Sequence, residues 1–262
     1  MFSTMSLASL IHEGEAQNST RRERALHALA AGLPPGMAGA GLTIGTLPET
    51  KILPLGLAAV DEVLPDGGLP RGVVIEVSAP RGLARATTIA LAACASAQAE
   101  ARLRGTDTTA GAWCAWIDPT MTLFAPGVAQ AGVDLTRLLV VRPPIEALAR
   151  VAVRMAASRA FAVIVVDAAG VPGAPGLGAG ITRWATIVRR LALAIEGSDT
   201  ALLLLTDHHV ARPMPLPVAM RLEIDRPGED RMTLRIAKDR RGRVCSPRSI
   251  RMPAIPNLAK SA

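Results

Sequence analysis

The turn that follows Val77 has the length of a phosphate-binding loop. A β-branched run, Val73–Val77, leads into small residues and then into a helix-prone stretch from about Ala86 to Leu103. In α/β folds this first strand-to-helix turn is where phosphates bind, because the free N–H groups of the helix N-terminus point into it. A working loop reads G-x-x-x-x-G-K-[ST], in which the Lys contacts the β- and γ-phosphates and the hydroxyl binds Mg²⁺.

The residue types in this loop do not fit that chemistry. Alanines stand at both glycine positions, Arg85 stands at the lysine position and Ala86 at the hydroxyl position. A planar guanidinium does not replace an ammonium at close quarters. We therefore predict a relic that has no nucleotide cofactor and no enzymatic activity; a weak ATPase that still holds nucleotide with Arg85 and the backbone of Arg81–Arg85 is the alternative. The degenerate loop comprises Ala79, Pro80, Arg81, Gly82, Leu83, Ala84, Arg85, Ala86 and Thr87.

Two aspartates follow apolar strands where a nucleotide site would need acids. Asp118 follows Trp116-Ile117, and Asp167 ends the run Phe161–Val166 at the place of a magnesium-binding carboxylate. Without a hydroxyl at Ala86, we interpret Asp167 as a structural carboxylate. Asp207-His208-His209 is no better a metal pair, since adjacent histidines on a strand point to opposite faces. We therefore expect no metal site.

The elements around these residues alternate between apolar strands and helices. Strands are predicted near residues 138–141 and 201–205, and helices over about 145–159 and 181–195. Such alternation indicates a parallel sheet covered by helices on both faces. Residues 221–226 and 231–237, joined by a Pro-Gly turn, indicate a closing antiparallel hairpin. The predicted organisation is an N-terminal helical arm (1–31), a Gly/Pro-rich linker (32–50), an α/β core (51–253) and a C-terminal tail (254–262).

Composition excludes several other classes of protein. The 262 residues are 50% hydrophobic and 19% charged, with a mean hydropathy of +0.31, so a large core can be buried and wholesale disorder is excluded. Apolar stretches are too short to predict a membrane span, and no secretory signal is recognisable. Three cysteines without C-x-x-C spacing favour a reducing cytoplasm over a disulfide framework.

The charge distribution favours a polyanionic partner. The net charge is +7, and the segment 231–251 alone carries eight basic residues and one acid, Asp239. Within it, Arg240, Arg241 and Arg243 form a dense cluster, interpreted either as a contact for DNA phosphates or an acidic protein, or as a solvated turn. Aromatic residues make up only 2% of the chain and tyrosine is absent, so stacking platforms for bases are scarce. Contacts with DNA would therefore be to phosphates and sensitive to salt.

Over about three quarters of its length the chain resembles the RecA ATPase core. The segment 55–77, with Gly67-Gly68-Leu69-Pro70-Arg71-Gly72 before a strand that carries Glu76, is similar to the start of that core. The resemblance continues through the strands that precede Asp118 and end at Asp167, and through the residues 221–240. It implies a RecA-like three-layer α/β/α fold with a mostly parallel sheet and the C-terminal antiparallel hairpin. Pro119 and Thr120 stand where recombinases have the acid that activates water, and Asp207 or His208 replaces the polar sensor of the γ-phosphate.

A RecA-like core that has lost these groups resembles the ImuA family of accessory proteins in SOS-induced translesion synthesis, and also the related SulA. The implied partners are the Y-family polymerase-like protein ImuB, an error-prone C-family DNA polymerase complex and RecA itself, in a nucleoid-associated cytoplasmic location. Lys238 and Arg240 match positions that reach a neighbour's nucleotide in recombinase filaments; here they are expected to bind a partner. A simple basic DNA-binding protein is a further alternative.

Overall fold

A computed structural model describes residues 51–80, 85–103, 113–171, 181–207, 216–228 and 230–252. The predicted arm and linker (1–50), the tail (254–262), and the loop residues Arg81–Ala84 lie outside these ranges, as do the side chain of Arg85 and residues 208–215.

An eight-stranded sheet forms the centre of the described structure. Six of its strands are parallel: β3 (Val73–Ala79), β4 (Cys114–Ile117), β5 (Leu138–Val141), β6 (Val163–Asp167), β7 (Ala201–Asp207) and β8 (Met220–Asp225). Two antiparallel strands, β9 (Arg231–Asp239) and β10 (Arg248–Arg251), complete it in the order β10-β9-β8-β3-β7-β6-β4-β5. A two-stranded antiparallel pair, β1 (Ile52–Leu53) with β2 (Leu69–Pro70), precedes β3.

Helices cover both faces of this sheet. The helix α2 (Arg85–Leu103) packs on one face, where its small residues Ala90, Ala93 and Cys94 are fully buried against β3 and β7. On the other face lie α4 (Leu148–Ser158) and α5 (Ile181–Ile195), the latter with its apolar side chains at steps of three and four turned inward. The short helices α1 (Ala58–Asp61) and α3 (Ala125–Gln130) lie in connections.

The predicted three-layer α/β/α core with a mostly parallel sheet and a C-terminal antiparallel hairpin is confirmed. Details differ at the ends of the elements. Strand β3 continues to Ala79 and β7 to Asp207, two residues further than predicted in each case, and the region from Ile145 begins with a 3₁₀ turn before α4. Strand β10 was not predicted. No helix in the described ranges is both long and apolar enough to cross a bilayer.

Candidate functional site

A pocket of about 400 Å³ lies at the carboxyl edge of the parallel sheet, where β3, β6 and β7 end. It is the place where open α/β sheets bind ligands, and where the sequence predicted the degenerate loop. Its walls come from the end of β3, the start of α2, the loop after β4, and the ends of β6 and β7. The lining residues are Ala79, Pro80, Ala86, Thr87, Thr120, Thr122, Asp167, Ala169, Gly170, Leu205, Thr206 and Asp207.

The described part of the degenerate loop surrounds this pocket. Ala79 is the last residue of β3 rather than a loop residue, because it continues the ladder opposite Asp207. Pro80 follows it, and Arg85 is the first residue of α2. Ala86 and Thr87 line the pocket from the first turn of that helix. The methyl group of Ala86 therefore stands where a nucleotide site needs a hydroxyl for Mg²⁺.

Asp118 does not line the pocket. Its side chain is fully buried and accepts hydrogen bonds from the backbone N–H groups of Thr122 (3.0 Å) and Leu123 (3.1 Å), while Arg142 approaches it at 3.6 Å. Asp118 thus holds the loop after β4 in place. That loop brings Thr120 to the pocket, at the position where the family resemblance expects a water-activating acid.

Asp167 and Asp207 lie at the pocket and are both more than nine-tenths buried. Asp167 accepts a hydrogen bond from Ala169 N (3.2 Å), and Asp207 accepts one from Gly170 N (2.7 Å). Burial raises the pKa of Asp167 to about 6; the bond from Ala169 opposes the shift, and the charges of Asp118 and Asp207 add to it. Of the two residues that the sequence offered for the sensor position, Asp207 lines the pocket, and His208 lies outside the described ranges.

The charged residues among the described lining of this pocket are Asp167 and Asp207, whose carboxylates repel phosphate groups when ionised. Arg81 and the side chain of Arg85 lie outside the described residues. No group of three or more His, Cys, Asp or Glu residues suited to a metal ion occurs in the part of the chain that the structure describes. The described part of the pocket therefore combines the position of a nucleotide site with two buried carboxylates.

Lys238 and Arg240 lie at the opposite edge of the sheet. Arg240 N donates to Ala219 O, and Ala219 N to Val74 O, so both residues lie level with the start of β3. The seven residues of β3 separate the two edges by about 20 Å. Lys238 Nζ donates to Leu216 O (2.8 Å), and desolvation by burial lowers its pKa, an effect that Arg221 reinforces and Glu76 opposes.

The remaining residues of the predicted basic cluster are held by acids. Arg243 donates to both carboxylate oxygens of Asp66 (2.6 and 2.9 Å) and to Asp239 (2.8 Å), which raises its pKa. Arg241 lies 4.0 Å from the Asp66 carboxylate. Arg240 forms no ion pair with a described residue. The cluster therefore offers less free positive charge than the sequence alone suggests.

A buried polar network in the middle of the sheet was not predicted. Glu76 on β3 accepts hydrogen bonds from Arg221 Nη2 (2.9 Å) on β8 and Thr206 Oγ1 (3.0 Å) on β7, and its side chain is almost inaccessible to solvent. Burial raises the pKa of Glu76 although Arg221 and Thr206 act to lower it. A glutamate inside an apolar central strand was the available signal, because a buried charge requires a partner.

Comparison with known proteins agrees with this architecture. A family profile described as the RecA N-terminal domain matches residues 39–176, more than half of the chain. Protein RecA of Kineococcus radiotolerans is 36% identical over 150 residues, covering 56% of this chain and 40% of that protein. Protein RecA of Frankia alni is 37% identical over 123 residues (47% and 32%), and that of Mycolicibacterium gilvum 34% identical over 156 residues (58% and 41%).

The chain thus spans less than half of the length of these relatives. The matched region contains β3, the degenerate loop, α2 and the strands that end beside Asp118 and at Asp167, which supply most of the pocket lining; the end of β7 lies beyond the match. This chain belongs to the RecA N-terminal domain family.

Proposed function

We propose that this protein is a non-catalytic RecA-like accessory protein that acts in SOS-induced translesion DNA synthesis, as the resemblance to the ImuA family implies. One observation carries the proposal. The pocket at the carboxyl edge of the sheet keeps its place in the fold and the carboxylate of Asp167, but Ala86, Thr120 and Asp207 stand where ATP chemistry needs other groups. A fold maintained around a pocket without that chemistry is best explained by the surfaces that it presents to partners.

Electrostatics supports the absence of turnover. Phosphoryl transfer depends almost entirely on positioning and on stabilising negative charge, so each missing cation, metal ligand or water-positioning group costs orders of magnitude in rate. Here the lysine, the hydroxyl and the activating acid are all replaced, and Asp207 adds a carboxylate. Together these changes favour binding over catalysis as the function.

The proposed partners are an ImuB-type polymerase-like protein, an error-prone C-family polymerase complex and RecA. Arg240 and Lys238 lie at the edge of the sheet opposite to the pocket. The chain can therefore present one RecA-type interface through these two residues. The second interface, at the pocket, would lack the nucleotide that joins the next subunit. Such a chain would cap a RecA filament. Equal strand exchange by RecA with and without a stoichiometric amount of the protein would contradict capping.

The first experiment measures ATP binding and hydrolysis by the purified protein with Mg²⁺, with and without single-stranded DNA. We expect neither binding nor turnover, and Asp167→Ala should change nothing. DNA-stimulated hydrolysis that disappears in Asp167→Ala would overturn the non-catalytic assignment and favour the ATPase.

A second experiment measures association with the polymerase-like partner by co-purification of tagged, purified proteins. We expect a stable complex that forms without added nucleotide. A complex that requires ATP, or no complex at all, would contradict the accessory role.

A basic DNA-binding protein is the second candidate, favoured by the surface of β9 and β10. Arg231 and Arg248 are exposed there and form no ion pair with a described residue. If DNA binding is the main activity, affinity for duplex DNA should fall by several powers of ten between low and physiological salt. A flat response to salt would exclude it.

A further inference from the structure

A groove of about 560 Å³ lies at the amino edge of the sheet, away from the pocket described above. One wall is a stripe on α5, in which Arg189, Ala192, Leu193 and Glu196 follow the spacing of a single helical face. The other wall is formed by the start of β3, by the residues that lead into β8, and by the end of β9. Its lining residues on that side are Gly72, Val73, Val74, Pro217, Val218, Ala219, Lys238 and Arg240.

The floor of this groove is apolar. Val74 and Val218 are buried beneath it, and the Leu193 side chain stands beside it with 69% of its surface exposed. This leucine is turned away from the face of α5 that packs on the sheet through Val188 and Leu191. The exposed leucine and the apolar floor beside it form a contiguous apolar patch rimmed by polar residues, an arrangement that marks interaction surfaces.

The rim of the groove is basic. Arg189 and Arg240 are exposed and form no ion pair with any residue in the described ranges. Lys238 is half-buried, and its Nζ donates to the Leu216 carbonyl (2.8 Å). Among the described residues that line the groove, Glu196 is the one acid. Desolvation by burial lowers the pKa of Lys238 although Glu76 opposes the shift, so a carboxylate brought close to this lysine would further stabilise its charged form.

Backbone groups on this wall are already paired. Ala219 N donates to Val74 O, and Arg240 N donates to Ala219 O. A partner therefore cannot be recognised there by adding a strand to these groups, and side-chain contacts must supply the affinity. An apolar floor with a basic rim suits a helix that carries aliphatic residues on one face and carboxylates beside them.

We propose that this groove docks an acidic amphipathic helix of a partner protein. The proposal rests on the proposed function, for which it names the surface and the chemistry of the partner. Nucleic acid fits the same groove less well, because most of its described lining residues are aliphatic, none of these is an aromatic residue that could stack on bases, and Glu196 opposes phosphate.

The test uses the full chain and a fluorescent synthetic helix of roughly 15 residues, with leucines on one face and flanking glutamates. Two control peptides replace either the glutamates by lysine or the leucines by serine. Binding is measured by fluorescence anisotropy. We expect the acidic amphipathic peptide to bind and both control peptides to bind at least about tenfold more weakly, which corresponds to about 1.4 kcal/mol or more.

Groove variants give the decisive comparison. Arg189→Glu combined with Arg240→Glu, and separately Leu193→Asp, should each weaken binding by about tenfold or more. Matched controls are Arg154→Glu, an exposed arginine on α4, and Leu103→Asp, an exposed leucine at the end of α2; neither lines the groove, and neither should change the affinity by more than about twofold. All five substituted positions are exposed, so these variants should fold, which thermal melting verifies.

Three outcomes would overturn the inference: no binding of the acidic peptide, equal binding by groove and control variants, or a duplex oligonucleotide that binds in a groove-dependent manner while the peptide does not. Co-purification of the same variants with the polymerase-like partner separates this inference from the proposed function. If the partner binds wild type and groove variants equally, the groove assignment fails and the accessory role stands. If the peptide binds in the groove but the partner never binds, the accessory role fails.

Discussion

The Arg221 guanidinium donates to the Glu76 carboxylate at 2.9 Å inside the central sheet, joining β8 to β3 across 145 residues of sequence. Both side chains are at least nine-tenths buried. Thr206 on β7 donates to the same carboxylate oxygen, whereas the second oxygen has no hydrogen-bond partner among the described residues. Because burial raises the pKa of Glu76 despite Arg221, the desolvation cost outweighs the attraction within the pair.

We predict that this ion pair matters for stability chiefly when it is broken. Glu76→Leu or Arg221→Met alone should lower the free energy of unfolding by about 3–5 kcal/mol, because each breaks the buried ion pair from one side only. The double variant should recover most of that loss. Urea unfolding of all four proteins measures the coupling, and additive losses in the double variant would contradict this account.

The layered core was predictable because its signals are local. The apolar runs that became β6 and β7 lie next to each other in the sheet, with Val163 opposite Ala201. Strands that are buried on both faces of a parallel sheet consist almost entirely of apolar residues, so they are recognisable as continuous apolar runs in the sequence. The sequence predicted that β3 and β7 end where polar residues begin, which is too early. Ser78 pairs with Thr206 and both are buried, so the ladder between the two strands extends to Asp207.

Other features depend on contacts that no local pattern reveals. Strand β10 has the sequence Arg-Ser-Ile-Arg, in which only Ile250 is buried, so neither apolar alternation nor a hydrophobic run marks it. The pairing of Asp66 with Arg243 spans 177 residues. At the candidate site, the sequence predicted the residues of the degenerate loop, but it could not distinguish Asp118, which holds its own loop, from Asp167, which faces the pocket.

We predict that Gly68 is required by the fold of the β1–β2 pair. A Cβ atom at Gly68 would lie 2.5 Å from Leu53 O and 2.7 Å from the Ile52 side chain, closer than real contacts allow. Gly68→Ala should therefore cost about 3 kcal/mol. Gly67→Ala is the matched control. Nothing lies within 4 Å of a Cβ atom added at Gly67, so the cost comes only from placing alanine at a positive φ of 73° and should be about 1–2 kcal/mol. Equal losses for the two variants in urea unfolding would refute this explanation.

A third prediction concerns the bidentate contact between Arg243 and Asp66, which ties the turn after β9 to the turn before β2. Hydrogen bonds from Arg243 lower the pKa of Asp66, so the contact stabilises the fold at neutral pH and is lost as the pH falls into the acidic range of that carboxyl. Both side chains are about one-third exposed, so Asp66→Asn should cost at most about 1 kcal/mol, and less in high salt. Glu146→Gln, at an exposed acid without a described ion pair, is the control. A loss that does not depend on salt would contradict the electrostatic assignment.

The same substitution tests whether the basic cluster binds DNA. Asp66→Asn removes a negative charge that Arg243 and Arg241 now face. If these arginines contact phosphates, the variant should bind duplex DNA more tightly at low salt, and the dependence of log affinity on log salt should steepen by about one unit or less. Unchanged affinity and slope, measured by anisotropy, would show that the cluster serves the fold instead.

The last prediction follows from the raised pKa of Asp167. An aspartate with a pKa of about 6 in the folded protein, against an ordinary value of 3.8, binds its proton more tightly when folded than when unfolded. It therefore favours the folded state below pH 4, and that contribution is lost as the pH rises through 6. At pH 8 the buried carboxylate costs about 2–3 kcal/mol of folding free energy, at about 1.36 kcal/mol per pKa unit.

Asp167→Asn keeps an acceptor for Ala169 N and removes the charge, so it should stabilise the protein by about 1–3 kcal/mol at pH 8 and leave it unchanged near pH 4. Chemical unfolding of both proteins across this range measures the difference. A loss of stability at pH 8 would mean that a cation, rather than a proton, normally compensates this carboxylate, and the pocket would then have to be reconsidered as a cation site.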